Sequence, residues 1–323
     1  MKKLFYFLLA LMPLGFGFAQ PVKPHFTNNL SVTGGLSVQI IDLTPKFLKF
    51  YDTATIKNPD PDSRWQLWQQ MYGFAAVPPG PDGQKMARTL LDNAWPKYPS
   101  VINRIRLGAS VLNPPPLNIL ERVAKLLNAD TSQDSIKVKL YVFVGGLENN
   151  AFAFPDNGTP AVAIPVEIDN KELELTMTHE FTHAVHTKIA DHMWGSYPTT
   201  LATIVLMEGL AMRVTEELVP GRTPETYTSA RSDTWLKECE VHRVTILKGI
   251  QQHLDDSASE ARSKFIYGEG ASGHPREAYY AGWIIVGQLQ KQGITLSDLA
   301  RLSPTSVREL LNSTINTMVK EEE

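Results

Sequence analysis

The stretch His179-Glu180-Phe181-Thr182-His183 is the part of this 323-residue sequence from which the fold is best interpreted. Its two histidines are four positions apart, which places them about 40° apart around an α-helix and about 6 Å apart along it. Both imidazoles can therefore reach one cation. Glu180 follows the first histidine and projects to the side of the pair, where its carboxylate can take a proton from water held by that cation.

The residues before this motif predict short strands followed by a helix. Residues 136–142 alternate between apolar and polar side chains, which is typical of a strand, and residues 151–154 and 161–164 predict two more strands. Asp169 or Asn170 can then cap a helix that carries the motif. The sequence therefore places the two histidines on a helix that directly follows a strand pair.

The remaining pattern is mostly helical. Residues 43–128 have helical apolar spacing interrupted by Pro- and Gly-rich breaks, residues 20–40 are polar and irregular, and the chain is helical again after Asp169. We predict an α+β fold with a mainly helical N-terminal region, residues 20–135, and a second domain, residues 136–323. The N-terminal region could be a pro-region, a substrate-binding lobe or half of one core.

A catalytic zinc ion takes three protein ligands and leaves one position open for water, so a third ligand is needed. The candidates are His186, Asp191, His192 and Glu208. His186 shares a helix face with His179, but the two are about 10.5 Å apart along the axis, which makes His186 a neighbour rather than a ligand. Asp191 and His192 fall where the helix should end.

Glu208 has the most informative surroundings of these candidates. It lies in Leu206-Met207-Glu208-Gly209-Leu210-Ala211, within a second predicted helix over residues 199–217. A carboxylate in such an apolar segment is costly unless it is paired or bound to metal. The alternative is a solvated glutamate on the polar side of the helix.

The HEFTH stretch followed by Glu208-Gly209-Leu210-Ala211 resembles the gluzincin branch of zinc metallopeptidases, and predicted zinc-dependent proteases of unknown substrate. The resemblance implies a zincin-like catalytic domain in residues 136–323, with an edge strand above the motif helix. It also implies Zn²⁺ bound by His179, His183 and Glu208, with Glu180 as general base.

The resemblance extends on both sides of the motif. Upstream, Asn150 and Ala151 match the start of the edge strand on which such enzymes pair the substrate backbone. Downstream, residues 276–283 resemble a late helix whose tyrosine donates to the oxyanion, which makes Tyr279 the first candidate and Tyr280 the second. His274, on the loop before that helix, is a further candidate for contact with substrate.

One departure from the family narrows the expected activity. The Gly-x-Met-Glu-Asn amine-binding motif of the gluzincin aminopeptidases is missing, so we expect an endopeptidase that acts on peptides or proteins. The alternatives are a zinc-binding interaction protein without catalytic activity and a helical binding protein whose HExxH pattern is coincidental.

The N-terminus has the pattern of an export signal. Lys2 and Lys3 precede an apolar run over residues 4–18, and the small residue Ala19 fits a cleavage site. We expect residues 1–19 to be removed and the protein to be exported, either to the periplasm or into the medium. An uncleaved membrane anchor is the alternative.

Charge and cysteine content narrow the partners further. Without Lys2 and Lys3 the chain carries 29 basic and 34 acidic residues, a net charge of −5, which argues against nucleic acid and anionic membrane surfaces as partners. No stretch after the signal is apolar enough to span a bilayer. The single cysteine, Cys239, excludes an internal disulfide, so the core or a metal must stabilise the fold.

Overall fold

A computed structural model describes residues 29–78, 80–131, 135–190, 199–228 and 234–322. The predicted signal peptide, residues 1–19, lies outside these ranges. Within them the chain is mostly helical and forms one five-stranded sheet, which confirms the predicted α+β class. No helix in the described ranges has both the length and the apolar character needed to cross a membrane.

The sheet has the strand order β1-β2-β3-β5-β4. Its strands are β1 (Asn29–Thr33), β2 (Leu36–Asp42), β3 (Ile136–Phe143), β4 (Phe152–Asp156) and β5 (Thr159–Pro165). The pairs β2–β3 and β3–β5 are parallel, whereas β1–β2 and β4–β5 are antiparallel. The three strands predicted from the sequence are confirmed as β3, β4 and β5, and β4 forms one edge of the sheet.

The first two strands were not predicted, because residues 20–40 look polar and irregular. Leu36, Val38 and Ile41 of β2 are nevertheless buried. The parallel pairing of β2 with β3 joins residues about 100 positions apart, so its stabilising hydrogen bonds leave little local signal. The one sheet therefore contains strands from both sides of residue 135.

In the described ranges, five helices connect β2 to β3, as the long crossover between parallel strands requires. They are α1 (Thr44–Lys57), α2 (Pro61–Met71), α3 (Pro81–Ala94), α4 (Tyr98–Ile105) and α5 (Pro116–Leu126), with short 3-10 turns at Trp95–Lys97 and Gly108–Val111. Their aromatic side chains form a core with the sheet. Phe47 of α1, for example, is fully buried and contacts the rings of Tyr72 and Tyr98.

Nine helices follow β5 in the part of the chain that the structure describes. They are α6 (Asn170–Ile189), α7 (Leu201–Leu218), α8 (Pro224–Tyr227), α9 (Trp235–Val241), α10 (Arg243–Gln252), α11 (Ala258–Ala261), α12 (Glu277–Lys291), α13 (Leu296–Leu299) and α14 (Pro304–Lys320), with a π-helical turn at Arg262–Ile266. Helix α7 is buried over most of its length and packs against α12 and α14.

The chain folds into two compact units. The sheet unit comprises the described parts of residues 7–119 and 131–180. The helical unit comprises residues 120–130 and the described parts of 181–323.

Candidate metal centre

The start of α6 is fixed by side chains that satisfy its backbone groups. The Oδ1 atom of Asp169 accepts a hydrogen bond from the Lys171 amide at 2.8 Å, which confirms Asp169 as the cap. Arg104 of α4 holds the connection from β5, because its Nε donates to the Val166 carbonyl oxygen at 2.7 Å and its Nη1 to Asn170 Oδ1 at 2.9 Å. The helix therefore leaves the sheet in a defined direction.

The HEFTH stretch is buried on α6. His179, Glu180 and His183 are all almost inaccessible to solvent, and Phe181 is completely buried. The two histidines are therefore not on the surface of the helix. Buried imidazoles and a buried carboxylate need specific partners, since burial of unpaired polar groups is costly.

Glu208 lies in the middle of α7 and is only 2% exposed. The helix begins with reciprocal capping bonds: Thr200 Oγ1 accepts from the Thr203 amide, and Thr203 Oγ1 accepts from the Thr200 amide. The alternative that Glu208 is a solvated surface glutamate is therefore wrong.

The structure brings His179, His183 and Glu208 together. One ligand atom from each residue lies within 4.8 Å of the other two, and all three residues are buried. The Nε2 atom of His183 is 3.7 Å from Oε2 of Glu208. Two atoms bound to one zinc ion at a tetrahedral angle are about 3.3 Å apart, so small side-chain rotations suffice for all three to bind it.

The donor set is suited to zinc. Two imidazole nitrogens and one carboxylate oxygen are ligands that Zn²⁺ accepts, and three protein ligands leave a fourth position open, as in catalytic rather than structural sites. The centre therefore fits Zn²⁺ as the cofactor.

The other candidates for the third ligand differ in their positions. His186 is buried on α6 but is not part of the metal-binding group found among the described residues. Asp191 and His192 lie outside the described residues. Glu208 is therefore the candidate that the described residues place beside both histidines.

Tyr279 and Tyr280 are both buried in the first turn of α12 but have different surroundings. The Tyr280 hydroxyl donates a hydrogen bond to the Glu240 carboxylate, and burial together with that carboxylate raises the pKa of Tyr280 well above its usual range. The ring of Tyr279 instead packs under the guanidinium of Arg276, with 3.8 Å between the guanidinium carbon and the ring centre. The two phenols are therefore held by different neighbours.

His274 lies on the loop that leads into α12. Its Nδ1 atom is 2.9 Å from Ser272 Oγ, and its Nε2 atom is 3.8 Å from the Glu238 carboxylate. Glu277, which is fully buried, accepts hydrogen bonds from the Ala271 and Ser272 amides and from Ser272 Oγ, each at 2.7 Å. The loop is thus anchored to the first turn of α12.

Asn150 and Ala151 are buried and immediately precede the edge strand β4. The Asn150 side chain is 9% exposed, and its Nδ2 atom has no hydrogen-bond partner among the described residues. It lines an open cavity in the sheet unit together with Glu148 and Glu167. Burial raises the pKa of Glu167 to about 7, although its Oε1 atom accepts a hydrogen bond from the Gly145 amide.

The helical unit contains a close contact between two helices and a buried arginine, of which only the arginine was not predicted from the sequence. Gly209 of α7 and Gly282 of α12 meet backbone to backbone, which explains why two glycines occur inside otherwise apolar helices. Arg276 is buried directly before α12, although arginine is rarely buried. The two glycines indicate in the sequence that the helices can pack closely, whereas nothing in the sequence around Arg276 indicates burial.

Comparison with known proteins identifies one family. The family described as "Predicted Zn-dependent protease (DUF2268)" matches residues 115–309, which is more than half of the chain and includes the HEFTH stretch and Glu208. Searches of curated proteins and of solved structures found no match.

Proposed function

Because the chain belongs to the family of predicted Zn-dependent proteases, we propose that it hydrolyses peptide bonds with a zinc ion held by His179, His183 and Glu208. The observation that carries this proposal is the buried group of three ligand atoms, all within 4.8 Å of one another. Membership of the family does not by itself identify the metal ligands. The HExxH pattern by itself identifies two of them and not the third.

Glu180 is proposed as the general base and acid. Zinc, when bound, supplies a Lewis acid that polarises the scissile carbonyl and makes water more acidic. The Glu180 carboxylate takes the proton from the attacking water and then delivers it to the leaving amine. Its place next to His179 on the buried part of α6 supports this role.

Tyr279 is proposed as the donor to the oxyanion that forms when water attacks the carbonyl. The Tyr280 hydroxyl donates its hydrogen bond to the Glu240 carboxylate, so Tyr280 is the second candidate for this role. His274 is proposed to contact substrate from the loop before α12, with Ser272 orienting its ring.

The edge strand β4 is proposed as the surface on which the substrate backbone pairs. An edge strand presents unpaired amide and carbonyl groups to an added strand. Asn150 and Ala151 stand at the start of β4, and the Asn150 amide nitrogen, which has no partner in the described ranges, can donate to a substrate carbonyl oxygen.

We further propose an endopeptidase that is exported through its N-terminal signal. The absence of the Gly-x-Met-Glu-Asn motif from the sequence supports the endopeptidase assignment, and the pattern of residues 1–19 supports export. No nucleic acid is expected as a partner, because the chain is acidic.

The decisive test measures zinc content and hydrolysis together. We expect the purified protein to contain about one zinc ion per chain, to cleave members of a broad peptide library, and to lose activity on treatment with a chelator and regain it with zinc. Protein without zinc contradicts the metal centre. Zinc without cleavage of any peptide favours the zinc-binding interaction protein instead.

A further inference from the structure

Arg276 has an unusual environment in the helical unit. The residue is only 7% exposed, yet its Nε and Nη2 atoms are buried without a hydrogen-bond partner in the described part of the chain. Its guanidinium stacks on the ring of Tyr279 at 3.8 Å. Burying a cation is costly unless an opposite charge accompanies it, and a single aromatic ring offsets only part of that cost.

Other arginines with a buried, unbonded nitrogen do have acidic partners. Arg64 pairs with Asp92 at 2.8 Å, and Arg243 pairs with Glu240 at 3.2 Å. Arg276 forms no ion pair within the described ranges. The adjacent acidic residue, Glu277, accepts hydrogen bonds from the Ala271 and Ser272 amides and forms no ion pair with Arg276 among the described residues.

The position of Arg276 adds to its need for an anion. It is the residue directly before α12, a helix of 15 residues. The N-terminus of a helix carries partial positive charge, so a cation there is disfavoured and an anion is favoured. The guanidinium stays at this helix end, because it stacks on Tyr279 in the first turn.

The two nitrogens without a hydrogen-bond partner among the described residues, Nε and Nη2, also indicate the shape of the anion that would bind them. Nε and Nη2 lie on one edge of the planar guanidinium and point two N–H groups in the same direction. This fork matches the two oxygens of a carboxylate, which it binds with two parallel, charge-assisted hydrogen bonds. A single carbonyl oxygen would satisfy only part of the fork and would leave the charge uncompensated.

Helix packing relates Arg276 to the metal ligand on α7. Gly209 contacts Gly282, and a Cβ atom at Gly287 would lie against the Arg213 side chain, so α7 and α12 run in the same direction. Glu208 is next to Gly209, and Arg276 precedes Gly282 by six residues. Along the axis of α12, Arg276 therefore lies about 9 Å from Gly282. An extended peptide covers this distance with two to three residues.

We propose that Arg276 is a specificity-determining residue that binds a carboxylate of the peptide substrate. This inference rests on the proposed peptidase function. The carboxylate belongs either to the C-terminus of the substrate or to an aspartate or glutamate side chain near the scissile bond. Both sources supply the same group to the Nε and Nη2 fork.

Binding to full-length, zinc-loaded Glu180→Gln protein tests this by calorimetry. In the first pair, the same peptide carries either a free C-terminal carboxylate or a C-terminal amide. In the second pair, both peptides have a C-terminal amide and carry either glutamate or glutamine within the sequence. We expect the carboxylate of one pair to strengthen binding by about ten- to hundredfold, the range of a charge-assisted pair. The first pair responds if the source is the chain end, and the second if it is a side chain.

Arg276→Gln should abolish this preference, and Arg276→Lys should retain part of it. Arg213→Gln is the matched control: Arg213 also stacks on a ring, that of Trp283, but it is paired with Glu216. It should keep the preference for a carboxylate. Equal affinity for acid and amide in both pairs, an unchanged preference in Arg276→Gln, or no binding of any carboxylate peptide at millimolar concentration would overturn the inference.

Thermal unfolding separates this role from a structural one. Since Arg276 has no ion pair to lose among the described residues, Arg276→Gln should unfold at the same temperature as the parent or higher, whereas Arg213→Gln should unfold at a lower temperature. A lower Tm for Arg276→Gln would indicate a structural residue. Hydrolysis of amidated, uncharged peptides as fast as of acids contradicts only the carboxylate inference, and carboxylate-dependent binding without hydrolysis contradicts only the peptidase function.

Discussion

A Cβ atom at Gly209 of α7 would lie 2.4 Å from the carbonyl oxygen of Gly282 in α12. The converse contact is as close, because a Cβ atom at Gly282 would lie 2.5 Å from the carbonyl oxygen of Val205. The two helices thus meet through backbone atoms, directly beside Glu208. The separation of α7 from α12 is therefore set by the absence of two side chains.

Gly209→Ala is expected to destabilise the protein and to weaken zinc binding. Alanine normally stabilises a helix interior by about 1 kcal/mol relative to glycine, but here its methyl group would push the helices apart, at a cost of about 1–3 kcal/mol or more. Unfolding in urea and a zinc titration measure both effects. Ser313→Ala, on an exposed part of α14, is the control and should leave both unchanged or raise stability slightly. A more stable Gly209→Ala protein would contradict the close contact.

Glu180→Gln should keep zinc and lose turnover. The amide cannot accept the proton from water, so we expect kcat to fall by about 10²–10⁴-fold at unchanged zinc stoichiometry. Metal analysis and a peptide hydrolysis assay measure the two properties separately. Glu172→Gln, an exposed change on the same helix, should leave both unchanged. Full hydrolysis by purified Glu180→Gln would remove Glu180 as the base.

Glu208→Ala should weaken zinc binding. Losing one of three ligands should cost more than the roughly 10–100-fold typical of residues that only orient a ligand. Competition with a chromogenic chelator measures the affinity. Glu217→Ala is the control, because Glu217 is exposed on the same helix. Tight stoichiometric zinc in Glu208→Ala would exclude Glu208 from the centre.

Tyr279→Phe and Tyr280→Phe form a matched pair. Loss of a donor to the oxyanion typically lowers kcat by about 10²–10³-fold, so we expect this from Tyr279→Phe with little change in KM. Tyr280→Phe loses the hydrogen bond to Glu240, so it should lower the Tm and should lower kcat less than Tyr279→Phe does. Steady-state kinetics and thermal unfolding of both variants distinguish the roles, and a larger loss of kcat in Tyr280→Phe would reverse the assignment.

The stability of the sheet unit should depend on the ionisation of Glu167. Burial raises the pKa of this carboxyl from 4.5 to about 7, and the charge of Glu148 adds to the increase. The protonated form is thus favoured by folding. The stability that Glu167 contributes through this preference is fully present below pH 4.5. It is lost as the pH rises through 7, where the folded protein must carry a buried charge.

Glu167→Gln removes this ionisation. The advantage of the variant over the parent in free energy of unfolding should grow by about 1–3 kcal/mol between about pH 5 and pH 8, after allowance for partial solvent screening. Urea unfolding at both pH values measures the difference. Glu172→Gln changes the same charge at an exposed site and should show no such trend. A constant difference between parent and Glu167→Gln would show that Glu167 ionises normally.

The sequence predicted features that depend on local periodicity. The alternation in β3 and the apolar spacing of α7 are properties of consecutive residues, and both elements were found close to the predicted bounds. The cap at Asp169 follows from the same local chemistry. In contrast, β1 and β2 were missed, because β2 is stabilised by pairing with a strand about 100 positions away.

By itself, the sequence determined that His179 and His183 face the same way, since the geometry of one helix fixes residues four positions apart. Only the tertiary structure placed Glu208 beside them, separated the surroundings of Tyr279 from those of Tyr280, and buried Arg276 with no ion pair to any described residue. Each of these depends on how one helix packs against another, as at Gly209 and Gly282. Such packing is set by contacts between residues far apart in the chain, which no local pattern records.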